Sequence, residues 1–390
     1  MSLRSFSFRS GPQFLMVGLA WRLALYGETV LNEAQTDRRH RGAVAAAWDE
    51  FDDGRLILDV EELSAMVSTN RVYRLRLDDG HEVIAKSSNY GSFFLFAEDH
   101  DRLHRVTELL HGGRWDGFLA EVFTADGRPY IWYDGEMWVV FYEQVVVKDR
   151  LPRILTDSQV ARLGTELASF HKACAAVARL VPAPSKTAKS DAVNLYESLG
   201  SRTAAEQFGL ESSRIDLVRR HTHRFLMSVH HSGYDYWPKI PVLIDWNLGN
   251  FSVEFDEVAC DEHSRQFQLF SRWDYDWFRV ESRLLDFYFL SRVSSQTGDR
   301  STFTYSAHTL LEPRFVVFLR AYHAVYPLSA AEVHFLAEAY RFFLLNYVVR
   351  QGRHFFRHDF WQHLLHDAVD VHLPALDALD LTPLVRALDL

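Results

Sequence analysis

Leu243-Ile244-Asp245-Trp246-Asn247-Leu248-Gly249-Asn250 is the stretch on which the reading of this chain turns. An apolar run ends on an aspartate, and an asparagine follows five residues later. Further on, Trp273-Asp274-Tyr275-Asp276 again sets carboxylates among aromatic residues. Between the two, residues 251–255 and 267–273 read as strands joined by a charged loop from Asp256 to Arg265. Residues 242–274 are therefore a strand-rich island. Around it the periodicity is helical, over residues 157–178, 212–231, 284–293, 313–325, 330–349 and 358–371.

The character differs upstream of Lys148-Asp149-Arg150-Leu151-Pro152. Residues 43–50 read as helix and 56–60 as a first strand. Residues 67–86 alternate apolar and polar on both sides of Asp79-Gly80, the strongest short-range hairpin signal. Leu103, Val106, Leu109 and Leu110 fall at helical spacing within 93–110, and Gly112-Gly113 stop that helix. Two further strands, 130–133 and 137–142, flank Asp134-Gly135. The expectation is an α+β molecule of two lobes. Residues 1–55 form an N-terminal helical extension, 56–145 a small antiparallel-sheet N-lobe, and 146–390 a larger, mainly helical C-lobe.

Composition narrows the function classes. The 390 residues are 48% hydrophobic and 24% charged, which excludes wholesale disorder. A net charge of −10 argues against a nucleic-acid binder working by bulk charge, and leaves room for a cationic or metal-bound ligand. Cys174 and Cys260 provide neither a disulfide framework nor a cysteine-based zinc site, so a reducing, cytoplasmic compartment is the default. No apolar run is long enough to span a membrane. Residues 14–25 follow Arg4 and Arg9, but Arg22 interrupts them and no clean cleavage site follows. They read as an amphipathic helix rather than a signal peptide.

The Asp-x-x-x-x-Asn loop after a hydrophobic strand, followed by a second aspartate at a later strand end, resembles the catalytic loop of the aminoglycoside phosphotransferase and choline kinase superfamily, small-molecule relatives of the protein kinases. Other stretches carry the resemblance in the same order over residues 65–290. Ser68-Thr69-Asn70-Arg71-Val72-Tyr73-Arg74 resembles the phosphate-covering turn, and Val83-Ile84-Ala85-Lys86 the strand whose lysine grips the phosphates. Phe141-Tyr142-Glu143-Gln144-Val145 resembles the hinge that meets adenine. Leu163 to His171 resembles the helix that follows the hinge, and Leu285-Asp286-Phe287 carries the structural aspartate.

The resemblance implies a protein-kinase-like fold with ATP and Mg²⁺ as cofactors and a small molecule as acceptor. Phosphoryl transfer is mostly positioning and charge neutralisation. On this reading Asp245 orients the acceptor hydroxyl, Asn250 and Asp274 hold Mg²⁺, and Lys86, Ser68 and Thr69 meet the phosphates. Glu143 and Val145 lie at the hinge. The carboxylate partner of Lys86 lies among Glu98, Asp99 and Asp101, with Glu98 favoured for its reach. Asp276 and Glu281, beside Tyr275 and Trp277, are placed to receive an amine-bearing acceptor by ion pairing and cation–π contact.

Two departures matter. Leu243 stands where the family has a loop-supporting histidine, and Ile244 where it has glycine. The phosphate turn has no glycine between Gly54 and Gly80, so close backbone approach to phosphates falls to other devices, with the Ser68 and Thr69 hydroxyls as candidates. Two readings follow: an ATP-dependent small-molecule kinase, or a kinase-like binding protein without turnover. Neither Gly-x-x-x-x-Gly-Lys-Ser/Thr, Gly-x-Gly-x-x-Gly nor Gly-x-Ser-x-Gly is present. His221 and His223 point to different faces of their helix, which sets aside a metal site there.

Overall fold

The computed structural model describes residues 35–51, 54–64, 67–256, 266–299 and 306–390. The apolar stretch 14–25, Cys260 and most of the charged loop 256–265 lie outside the described residues.

Strands β1 (Ile57–Glu62), β2 (Arg71–Leu77) and β3 (Glu82–Ser88) form an antiparallel meander, with Tyr73 opposite Ala85 and Leu75 opposite Val83. The β2–β3 turn forms where the Asp-Gly signal lies. Gly80 takes φ +84°, and the Asp79 carboxylate accepts from the His81 N–H at 2.8 Å. Two-residue strands β4 (Thr124–Ala125) and β5 (Arg128–Pro129) form a small hairpin of their own. β6 (Ile131–Tyr133) and β7 (Trp138–Glu143) complete a five-stranded sheet of order β1-β2-β3-β7-β6.

Alternation sends the side chains of this sheet into two cores. Tyr73, Leu75, Val83, Ala85, Val139 and Phe141 pack with Ala43, Val44, Ala47 and Trp48 of helix α1 (residues 35–51). Trp48 meets Phe141 edge-on at 5.2 Å. Helix α1 is thus one wall of the N-lobe core rather than a detached extension. Val140 and Tyr142, on the opposite face of β7, belong to the larger core shared with helix α2 (Phe93–Leu110) and the C-lobe. Both faces of β7 are covered, which explains its unbroken burial.

The C-lobe is built on α3 (Asp157–Val177), which opens with a Thr156–Gln159 capping box. Helix α8 (Pro313–Val325) packs along it, and α4 (Ala188–Leu199), α5 (Ala204–Phe208), α6 (Ser212–His231), α7 (Phe287–Val293) and α9 (Ala330–Phe343) complete the lobe, α6 packing against both α4 and α9. Gly164 lets α3 and α8 touch, since a Cβ there would stand 2.5 Å from the Phe318 carbonyl oxygen. The expected helix 330–349 is α-helical only to Phe343. Residues 344–350 wind as π-helix, and the chain continues through α10 (Gly352–Phe355) and α11 (His358–Asp367).

Two short antiparallel pairs occupy the strand-rich island. β8 (Lys239–Val242) pairs with β11 (Arg279–Ser282), and β9 (Phe251–Phe255) with β10 (Phe267–Arg272). The Leu243–Asn250 loop joins β8 to β9, and Asp274 follows β10. No helix among the described residues is long and apolar enough to cross a membrane.

Candidate active site

A cleft of about 380 Å³ opens between the lobes, lined by Ser68, Asn70, Val72, Ile84 and Lys86 above and by Gly249, Asn250 and Asp274 to Asp276 below. Strand alternation puts Ile84 and Lys86 on its upper wall, because Val83 and Ala85 are committed to the N-lobe core. The Lys86 ammonium crosses the cleft. Its Nζ donates to Asp274 Oδ1 at 2.9 Å and stands 2.5 Å from Asp276 Oδ1. Burial disfavours the charge on Lys86, but the two carboxylates overcome it and raise its pKa. Asp274 resists burial in the same way: Lys86 and Arg272 hold its carboxyl below the usual range. Burial pushes Asp276 up; Lys86 opposes this and the charge of Asp274 adds to it.

The loop below is held from within. Arg272 is fully buried and donates to the Asp245 carbonyl at 2.8 Å and to the Asn250 carbonyl at 2.9 Å, clamping both ends of the five-residue spacing. Asp286 accepts from the Ile244 N–H at 2.5 Å and bonds His171 Nε2 at 2.8 Å, while His171 Nδ1 meets the Tyr322 hydroxyl. These contacts support the loop at its start, where Leu243 offers no polar side chain. Ile244 has φ +62°, a left-handed conformation in which a β-branched residue is strained. Asp274 is also left-handed, at φ +67°.

Asp245 is half-buried, and its carboxylate accepts from the Asn247 side-chain amide. Arg292 donates in turn to the Asn247 oxygen and pairs with Asp299 at 2.7 Å; Asp299 accepts from the Leu248 N–H. Burial pushes the Asp245 carboxyl up to about 7, with Asp274 adding to the shift and Arg272 and Arg292 opposing it. That value suits a general base at neutral pH. Asp245 is not among the residues that line the cleft, while Asn250 is, its side-chain amide donating to the Asp245 carbonyl at 3.3 Å.

Three expected placements are corrected. Glu98 does not meet Lys86: its carboxylate accepts from Ser185 and stands 3.5 Å from Arg102. Helix α2 turns His100 inward instead, bonded to the Tyr142 hydroxyl at 2.6 Å, and Asp99 pairs with Lys186. Thr69 does not line the cleft; its hydroxyl donates to the His354 carbonyl at 3.0 Å. Glu281 is 1% exposed on β11, where it accepts from Tyr234 and from the Ala188 N–H, and it reaches no cleft. Ser68, Glu143 and Val145 do line the cleft. Glu143 bonds His81, and the Val145 N–H has no partner among the described residues. Asn70, Arg272, Asn247 and Arg292 were not anticipated. Asn70 donates to Asp276 at 2.9 Å.

No family model and no curated protein matches the sequence. Solved structures do match. The amicoumacin kinase hAmiN, in complex with AMP-PNP, Ca²⁺ and Ami, superposes with a TM-score of 0.56 at 12% identity, over 83% of this chain and 91% of that one. A candidate aminoglycoside phosphotransferase from Ralstonia eutropha gives 0.51 at 14% identity, over 86% and 97%. The chain has the aminoglycoside phosphotransferase-like kinase fold. At such identity the likeness is one of fold, and the chemistry rests on the residues themselves. Lys86 and Asp274 meet in the cleft between the lobes. The donors for a divalent ion are chemically suited: an amide oxygen on Asn250 and a carboxylate on Asp274, whose loops touch through the Trp273 N–H and the Asn250 carbonyl at 3.1 Å. Among the described residues no three His, Cys, Asp or Glu side chains gather into a metal site.

Proposed function

We propose that the protein is an ATP- and Mg²⁺-dependent phosphotransferase that moves the γ-phosphate to a hydroxyl of a small molecule. One observation carries the reading: Lys86 of β3 reaches across an interlobe cleft to Asp274 at 2.9 Å, directly above a loop bearing Asp245 and Asn250. Lys86 meets the phosphates, and the free N–H of Val145 supports adenine binding at the hinge. Asn250 and Asp274 would hold Mg²⁺, which neutralises phosphate charge when bound. Asp245, oriented by Asn247, positions the acceptor hydroxyl and takes its proton. Of the two carboxylates read as receiving an amine-bearing acceptor, Glu281 is buried elsewhere, and Asp276 lines the cleft while engaged by Lys86 and Asn70.

The reading without turnover drew on Leu243 and the glycine-free turn. Asp286, Arg272 and His171 now support the loop by other contacts, which favours a working enzyme. The test is thermal stability with ATP and GTP, each with and without Mg²⁺. A ligand at a hundredfold excess over Kd stabilises the native state by about 2.7 kcal/mol. The wild type should show a Mg²⁺-dependent shift that Asp274→Ala loses and Asp245→Asn keeps, while Asp245→Asn loses phosphoryl transfer. No shift with any nucleotide would overturn the assignment; a shift without transfer to any acceptor would favour the binding protein.

A further inference from the structure

The turn over the phosphate region is attached to the opposite lobe. The Thr69 N–H donates to the Phe355 carbonyl at 2.8 Å, the Arg357 N–H to the Val67 carbonyl at 3.1 Å, and Ser68 forms a β-bridge with Phe356. The Thr69 hydroxyl adds its bond to His354. Residues nearly 300 positions apart thus share a short piece of antiparallel ladder.

The segment that receives the turn is itself fixed. Gly352 fits where a Cβ would stand 2.7 Å from the Trp361 ring, and the Trp361 indole donates to the Val348 carbonyl at 3.1 Å. Phe355 is buried and packs at a tilt of 46° against Trp277, ring centres 5.4 Å apart, three residues after Asp274. One side of the segment therefore carries the turn, and the other rests against the chain that presents the metal-site carboxylate.

We propose that residues 352–357 are a positioning brace for the nucleotide site, holding the glycine-free turn 67–70 at a fixed height above Asp274. This rests on the nucleotide-binding reading above. A glycine-rich turn approaches phosphates by its freedom from a Cβ; this turn is placed instead by main-chain bonds to a rigid neighbour. The entropy of ordering the turn is then met on folding rather than on binding, which strengthens binding without a direct contact from the brace.

Arg357→Pro isolates one of the main-chain bonds. Arg357 has φ −59° and Phe356 has φ −85°, ψ 153°, both compatible with proline at 357, so the substitution removes the N–H and leaves the backbone path intact. Arg357→Ala keeps the N–H and measures the side chain alone. Thr69→Val removes the hydroxyl bond while keeping the shape, and serves if Arg357→Pro does not fold. Calorimetric Kd for ATP with Mg²⁺ should be weaker in Arg357→Pro than in Arg357→Ala by about fivefold, the worth of one hydrogen bond, and weaker in Thr69→Val than in wild type. A structural role alone would lower the melting temperature and leave Kd unchanged at a temperature well below melting; that result would overturn the brace. A wild type that binds no nucleotide would overturn the functional assignment, and the brace with it.

Discussion

The two walls of the cleft are held by opposite means. The lower wall is fixed mainly by side chains of its own lobe: Arg272, Asp286 and His171, all buried, hold the Leu243–Asn250 loop by direct bonds to its backbone or to one another, and the Arg272 backbone also bonds Phe118 and Ala120. The upper wall is a sheet whose functional groups are fixed by reaching across to the other lobe. Lys86 goes to Asp274 and Asp276, Asn70 goes to Asp276, and the turn goes to residues 354–357. The loop of the lower wall thus takes its side-chain support from its own lobe, whereas the functional groups of the upper wall take theirs from the lobe opposite. The strain at Ile244 fits the first arrangement, since such a conformation persists only where its surroundings over-determine it.

The largest effect should come from breaking the lower lock. Asp286→Ala leaves the His171 ring nitrogen and the Ile244 N–H without their acceptor, in a region with no access to water. Removing one partner of such a buried set costs about 3–5 kcal/mol. Urea unfolding of Asp286→Ala against wild type measures it. A loss below about 1 kcal/mol would mean that the loop is held by something other than this carboxylate.

The upper lobe should respond to acid. His40 on α1 bonds Ser87 of β3, and burial, together with the charges of Arg71 and Arg39, pushes its pKa down to about 4. His100 is pushed down to about 3, first by burial, with the charge of Lys86 adding to it against the Phe96 carbonyl bond. A histidine whose folded pKa lies below the unfolded value of about 6.5 takes up its proton more readily in the unfolded chain. Its contribution is therefore complete above about pH 6.5 and is lost as the pH falls towards the folded value, at about 1.4 kcal/mol per pH unit for each group. Unfolding free energy measured between pH 6.5 and 4 is lowered by each of these two groups, against the opposite slope of Asp245, whose carboxyl is raised to about 7. His40→Asn with His100→Gln should reduce that fall by about two protons. His221 in the C-lobe is also depressed, to about 4, so a residual slope is expected; an unchanged slope would remove the upper lobe from the account.

What the sequence made legible follows the range of the contacts. Lys86 and Asp274 could be picked out because each sits at a strand end in an ordered series of local signals. The partners of Lys86 are Asp274 and Asp276 rather than Glu98, and helix phase held the reason to set Glu98 aside. Leu103 and Leu110 lie on the buried face of α2, and counting back three residues from Leu103 reaches His100, whereas Glu98 lies two residues further round the helix. Glu281 was misplaced because β8 and β11 are four-residue strands with no alternating pattern long enough to register, and their pairing buries it. The docking of Thr69 on His354 and the clamp of Arg272 on Asp245 had no local signature, since both depend on how distant segments meet.

The smallest effect belongs to the side-chain link across the cleft, and its size discriminates between the two walls. Asn70→Ala removes the bond from the Asn70 amide to Asp276, and a hydrogen bond to a charged group is worth about 1.5–3 kcal/mol. The same substitution removes the Asn70 Oδ1, which is buried without a hydrogen-bond partner, and an unsatisfied buried polar atom costs about 1–3 kcal/mol. The terms oppose one another, and Asp276 keeps Lys86. The net change in stability should stay within about 1 kcal/mol, by urea unfolding of the protein without nucleotide. A loss above about 3 kcal/mol would place Asn70 in a buried lock like that around Asp286, and the two walls would then be held by like means.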